Sequence, residues 1–203
     1  MFNTSSVKTP VIASVRPGIN VNVPVEAIFE SARKDGSGDP VLSLRIVGTN
    51  IKKTLWEPKQ NGNTQDRTSP YNFEFNGVKG QKGVVMTDAV ANALEMMNFL
   101  RDIKSILVAT VGDVVVEGKT YAEFAKNFVA AVGSDKTADV KVTYGSNGYL
   151  EIPKYNFIAA PNSNKLSLGK NDVVEKKEVE ADYTSTPVSS PVTPVSADSE
   201  LPF

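Results

Sequence analysis

Apolar residues fall at every second position in two early stretches. Ile19, Val21, Val23 and Val25 do so in INVNVPVEAIF, and Leu42, Leu44 and Ile46 in DPVLSLRIVGTN. This is the period of strands with one face in a core. The turn-rich SARKDGSGDP between them predicts a hairpin connection. The period then changes. In TDAVANALEMMNFLRDIKSIL, Val90, Leu94, Met97, Leu100 and Ile103 recur three and four apart behind Thr87 or Asp88 as cap, which predicts a helix. A second helix is marked by TYAEFAKNFVAAVG, with Thr120 and Glu123 at capping-box spacing, a stripe of Tyr121, Phe124, Phe128 and Val132, and Gly133 as stop. Both stripes read as core, and Met96 and Met97 as gap fillers. Last comes DVKVTYGSNGYLEIPKYNF, two alternating runs around GSNG, with Pro153 placing the second strand at an edge or ending it.

Two segments break the pattern. Residues 57–83 are rich in glycine and asparagine around the short run YNFEF, and predict a projecting ribbon or loop that orders on a ligand. From residue 172 onward the chain is rich in Ser, Thr, Pro and acid and cannot bury enough surface to order itself. The expected organisation is one β-rich α+β domain over residues 1–171 and a disordered tail over 172–203. With 40% hydrophobic residues and one tryptophan, the chain suffices for one core. Charge follows the same division. The 22 basic and 23 acidic residues nearly cancel, yet residues 1–171 hold 20 against 16 and residues 172–203 hold 2 against 7. A basic body carries an acidic tail.

Cysteine and histidine are both absent. That removes disulfides, thiolate nucleophiles, imidazole bases and the usual zinc, haem and iron–sulfur ligands. GVKGQKG lacks the GKS or GKT ending of a phosphate loop, and the carboxylates show no paired or metal-loop spacing. The expectation is a protein that is not an enzyme and needs no cofactor or metal. The longest apolar run, SILVATVGDVVV, is interrupted by Gly112 and Asp113, so no membrane segment is expected and the chain reads as cytoplasmic.

Positive charge and aromatic rings interleave in the middle of the body, through Arg45, Lys52, Lys53, Trp56, Lys59, Arg67, Tyr71, Phe73, Phe75, Lys79 and Lys82. Single-stranded nucleic acid calls for this pair of properties. Cations track phosphates, and flat rings take unstacked bases at about 1–3 kcal/mol per base with little regard to sequence. The competing reading is a solvated surface with Trp56 and some of the rings in the core.

The chain ends SADSELPF. A basic β-rich body, a low-complexity acidic tail, and a tip of Asp198, Glu200, Leu201, Pro202 and Phe203 resemble the single-stranded DNA-binding proteins of bacteria and their phages. The resemblance is specific at the tip and architectural over the body; the two carboxylates are fewer than that family's usual acidic run. It implies a divergent, phage-like member in which an OB-like barrel with two added helices coats single-stranded DNA in replication, recombination or repair. The tip would recruit replication or repair proteins, and the compartment would be the host cytoplasm. A homo-oligomer is compatible with this reading. The alternative is a non-enzymatic structural or adaptor protein, of a virion for instance, whose tail is a peptide ligand.

Overall fold

The computed structural model describes residues 14–31, 38–58 and 67–176. Three strands come first: β1 (Gly18–Ser31), β2 (Pro40–Ile46) and β3 (Lys52–Leu55). A small ribbon follows, β4 (Phe73–Phe75) and β5 (Val78–Gly80), then helices α1 (Asp88–Thr110) and α2 (Tyr121–Val132). Three more strands follow: β6 (Lys136–Tyr144), β7 (Leu150–Glu151) and β8 (Ile158–Ala159). The main sheet is antiparallel and open, in the order β3-β2-β1-β6-β7, with β8 also paired to β6. The described residues therefore form a strand-rich α+β fold with two helices.

The expected alternation places Leu42, Leu44 and Ile46 of β2 fully in the core, opposite Phe29, Ala27 and Val25 of β1, and Val41 and Ser43 between them are buried as well. In β1 it holds only from Val23 onward. Asn22 takes a left-handed φ of 54° and the pairing with β6 slips between Asn20 and Val23, a bulge that inserts one residue and swaps the faces. Ile19 and Val21, expected in the core by their spacing, are accordingly 39% and 52% exposed. The bulge is held by Asp139 of β6. Its carboxylate accepts from the Asn22 backbone N–H at 2.9 Å and from those of Asn162 and Ser163 at 3.0 and 3.1 Å.

Both caps form as expected, with Thr87 Oγ1 accepting from Val90 N–H and Thr120 Oγ1 from Glu123 N–H. The Glu123 carboxylate reaches back one residue further than a capping box, to the N–H of Lys119 at 2.9 Å. Phe128 and Val132 of α2 sit fully in the core against the sheet. Along α1 the buried positions differ from the expected stripe, because Leu100 is exposed while Ala91, Ala93, Ile106, Leu107 and Ala109 are buried. The helix serves two clusters. Its C-terminal half, with Ile103, Ile106 and Leu107, joins the main core, whereas Ala91 and Leu94 join Met86, Tyr71 and Phe73 in a smaller one. Phe73 and Phe75 thus belong to a ribbon closed by the left-handed pair Asn76-Gly77. That ribbon packs on α1 instead of projecting freely.

Beyond β8 the chain stays tied to the sheet. Lys141 of β6, nearly inaccessible, donates to Asp172 Oδ2 at 2.7 Å and to the carbonyl of Ser167 at 3.2 Å. Tyr144 N–H donates to the carbonyl of Val173 at 2.8 Å. Asp172 and Val173 are therefore part of the body. Burial opposes ionisation of Asp172, but the Lys141 ammonium and the Gly169 N–H outweigh it and hold the carboxyl below its ordinary value.

Candidate nucleic-acid interface

The end of β3 faces the first half of α1 across a cleft of about 940 Å³. Its lining comes from five places: Thr54–Pro58; Arg67, Thr68, Pro70 and Tyr71; Met86; one face of α1 from Leu94 to Asp102; and Lys154-Tyr155 after β7. Trp56 is 62% exposed and Tyr155 50%, so two rings stand in solvent at this cleft. The alternative that buries Trp56 in the core does not hold. A third ring, Tyr71, lies edge-on to Phe73 at 6.2 Å and donates its hydroxyl to Asn98 Oδ1 at 3.0 Å.

Local chemistry fixes these positions. Trp56 directly follows β3, whose end is tied to α2 by one hydroxyl: Tyr121 Oη donates to the Leu55 carbonyl at 2.8 Å and accepts from Leu42 N–H at 2.9 Å. Burial raises the Tyr121 hydroxyl pKa above its ordinary value. Tyr155 is flanked by two cations, with the Arg101 guanidinium 5.0 Å and the Lys154 ammonium 5.3 Å from its ring centroid. Both lie within cation–π range.

The cations expected from the sequence divide by place. Arg67 lines the cleft, where its guanidinium lies 3.7 Å from Glu95. Arg45 and Lys52 are register partners on β2 and β3; Arg45 pairs with Glu26 at 2.7 Å and Lys52 with Glu30 at 3.7 Å. Lys79 pairs with Glu74 at 3.5 Å, and it lines, with Lys82 and Phe73, a separate shallow depression on the ribbon. Lys59 and the tip residues Asp198, Glu200, Leu201, Pro202 and Phe203 lie outside the described residues.

Lys53 is the most deeply placed. It sits 4.4 Å above the Phe157 ring, 3.3 Å from Asp102 Oδ2, and within 3.3 and 3.4 Å of the carbonyls of Pro153 and Lys154. Burial pulls its pKa below the ordinary lysine value, against the opposing pull of Asp102. Because β3 is one edge of the sheet and Pro153-Lys154 follows the opposite edge strand, this one side chain links the two edges.

Sequence reasoning did not pick out Arg101, Lys154 and Tyr155. The dipeptide Lys154-Tyr155 carries the same cation-plus-ring signal as the central run, outside the segment where that signal was densest. The cleft as a whole is close to charge balance, since Arg67, Arg101 and Lys154 share it with Glu57, Glu95 and Asp102. Among the described residues no group of three or more acidic side chains could hold a metal ion, and no helix is long and apolar enough to cross a membrane. No protein-family model, curated protein or solved structure matches the chain.

Proposed function

We propose that this chain is a single-stranded DNA-binding protein that coats unpaired strands with little base preference during replication, recombination or repair. The observation that carries the reading is the cleft in which Trp56, Tyr71 and Tyr155 stand beside Arg67, Arg101 and Lys154. Exposed rings there would stack on bases and the cations would meet phosphates, a combination that asks for no particular sequence. The Lys53 bridge between the sheet edges supports viewing the sheet as an opened, OB-like barrel. On this reading the protein is a non-enzymatic, cytoplasmic component of phage type, and its tip recruits replication or repair proteins. The adaptor alternative is favoured by one observation, that five of the central cations already face a carboxylate within 4 Å.

A titration of labelled oligo-dT with unlabelled single-stranded and duplex competitors separates the two. The DNA reading expects single strands to compete and duplex to fail, with affinity falling steeply as salt rises. Equal competition, or a flat salt response, rejects it. Deleting Leu201, Pro202 and Phe203 should leave DNA affinity unchanged and abolish capture of replication proteins. Removing residues 177–203 should tighten DNA binding at low salt, by taking away a tethered acidic competitor.

A further inference from the structure

Arg101 has a second neighbour besides the cleft. A groove of about 400 Å³ runs along the flank of α1, between Arg101, Lys104 and Val108 on one side and Asn156 to Ala160 with Lys165 on the other. Arg101 lines both cavities, and Tyr155 in the cleft is followed in the chain by Asn156 in the groove. Asn156 takes a left-handed φ of 47°, which turns the backbone at the junction of the two. The groove differs from the cleft in charge. Arg101, Lys104 and Lys165 are among its lining residues and no carboxylate is, although Arg101 also meets Asp102 at 3.3 Å on the cleft side; the cleft sets as many carboxylates as cations in its walls. Lys104 does reach Asp113 at 3.7 Å, but both side chains are more than two-thirds exposed, and such a pair is weak enough to yield to a phosphate. The floor is apolar: Val108 is 47% exposed on an otherwise polar helix flank, beside Ile158 and Ala159.

We infer that a single strand held in the cleft continues past Arg101 into this groove, where Lys104 and Lys165 take its phosphates. The inference rests on the single-stranded DNA reading and adds to it a division of labour. The charge-balanced cleft supplies rings for bases, and the uniformly basic groove supplies the salt-dependent hold on the backbone. A bound strand then has a minimum length, because an oligomer too short to leave the cleft gains nothing from the groove.

The test uses the full chain and two labelled oligo-dT probes, one of about 4 and one of about 16 nucleotides, the ends of the range for a single OB-type site. Their binding is followed by anisotropy and by quenching of Trp56, the single tryptophan. The variant is Lys104→Gln with Lys165→Gln. A control, Lys119→Gln with Lys126→Gln, makes the same charge change on and before α2. The expected result is a salt slope on the long probe shallower by about 1.4, or 0.7 for each lost phosphate contact, and affinity at 0.1 M salt lower by roughly tenfold or more. The short probe and the control should be unchanged. An unaltered slope on the long probe, or an equal loss on both probes, overturns the groove while leaving DNA binding in place. If neither probe binds the parent chain, the single-stranded DNA reading falls, and the groove with it.

Discussion

Replacing Lys53 by methionine keeps the apolar stem over Phe157 and removes the ammonium that joins β3, Asp102 of α1 and the carbonyls after β7. The side chains of Lys53 and Asp102 are only 10% and 15% exposed, so this is a buried pair. Removing one partner of such a pair typically costs about 3–5 kcal/mol, since the other charge stays behind without compensation. Here Asp102 keeps Arg101 at 3.3 Å, and losing the ammonium also removes the burial penalty that lowers the Lys53 pKa, so the expected cost falls below that range, about 2 kcal/mol. At ~2–4 °C per kcal/mol for a chain of this size, Lys53→Met should melt about 4–8 °C below the parent. Asp102→Leu should also destabilise, and the double variant should lose less than the two singles together by about 1–3 kcal/mol. The pH dependence supplies an independent check. Because the folded pKa of Lys53 lies below its ordinary 10.5, the unfolded chain binds more protons between the two values. Parent stability should therefore carry a component that rises with pH through that window up to about 10.5, and Lys53→Met should lack it. Urea unfolding from pH 7 to 11 measures both effects. A variant within ~2 °C of the parent, or additive single losses, would show that Lys53 does not clasp the sheet edges.

Other expectations concern the site and the supports around it. Trp56→Ala and Tyr155→Ala should each weaken oligo-dT binding by about 1–3 kcal/mol with little change in melting, and loss of the thermal transition would return either ring to a structural role. Gly80→Ala places a methyl 2.6 Å from Cδ1 of the Phe73 ring, which lies across Gly80 from the paired strand. The resulting overpacking should cost about 1–3 kcal/mol, visible as faster amide exchange in the ribbon; unchanged exchange there contradicts the packing described. Asp172→Asn removes a carboxylate whose folded pKa lies below its ordinary 3.8, so that its stabilisation is present above about pH 4 and lost as pH falls through the folded value. Urea midpoints of parent and variant should differ at pH 7 and converge as pH falls through the folded value; a gap independent of pH refutes the clasp.

The strands, caps and helices were legible because each is a local signal. Leu42, Leu44 and Ile46 alternate, Thr87 and Thr120 precede their helices, and GSNG sits between two runs. The bulge at Asn22 was not, since its cause is Asp139, far along the chain, gathering three backbone N–H groups. Its one local trace is that asparagine tolerates positive φ better than most residues. The aromatic cleft was half legible. Trp56, Arg67 and Tyr71 were named, while Arg101 and Tyr155 meet only because α1 passes the segment after β7. Counting cations along the chain also overstated how many are free, because antiparallel register sets Glu26 opposite Arg45, a relation that linear order conceals.

The division of α1 between two apolar clusters has a consequence for motion. One wall of the cleft, with Arg67 and Tyr71, is anchored by the small cluster of Met86, Ala91 and Leu94, while the opposite wall, with Trp56, is continuous with the main core through Leu55. The free energy of local opening scales with the apolar contacts that must be broken, so the two walls loosen at different cost. Native-state hydrogen exchange should resolve them as two cooperative units, the ribbon side opening well below the global unfolding free energy and the sheet side only with it. A ligand wider than the resting cleft would then be admitted by strain in the cheaper wall, with the sheet that carries Trp56 as a fixed platform.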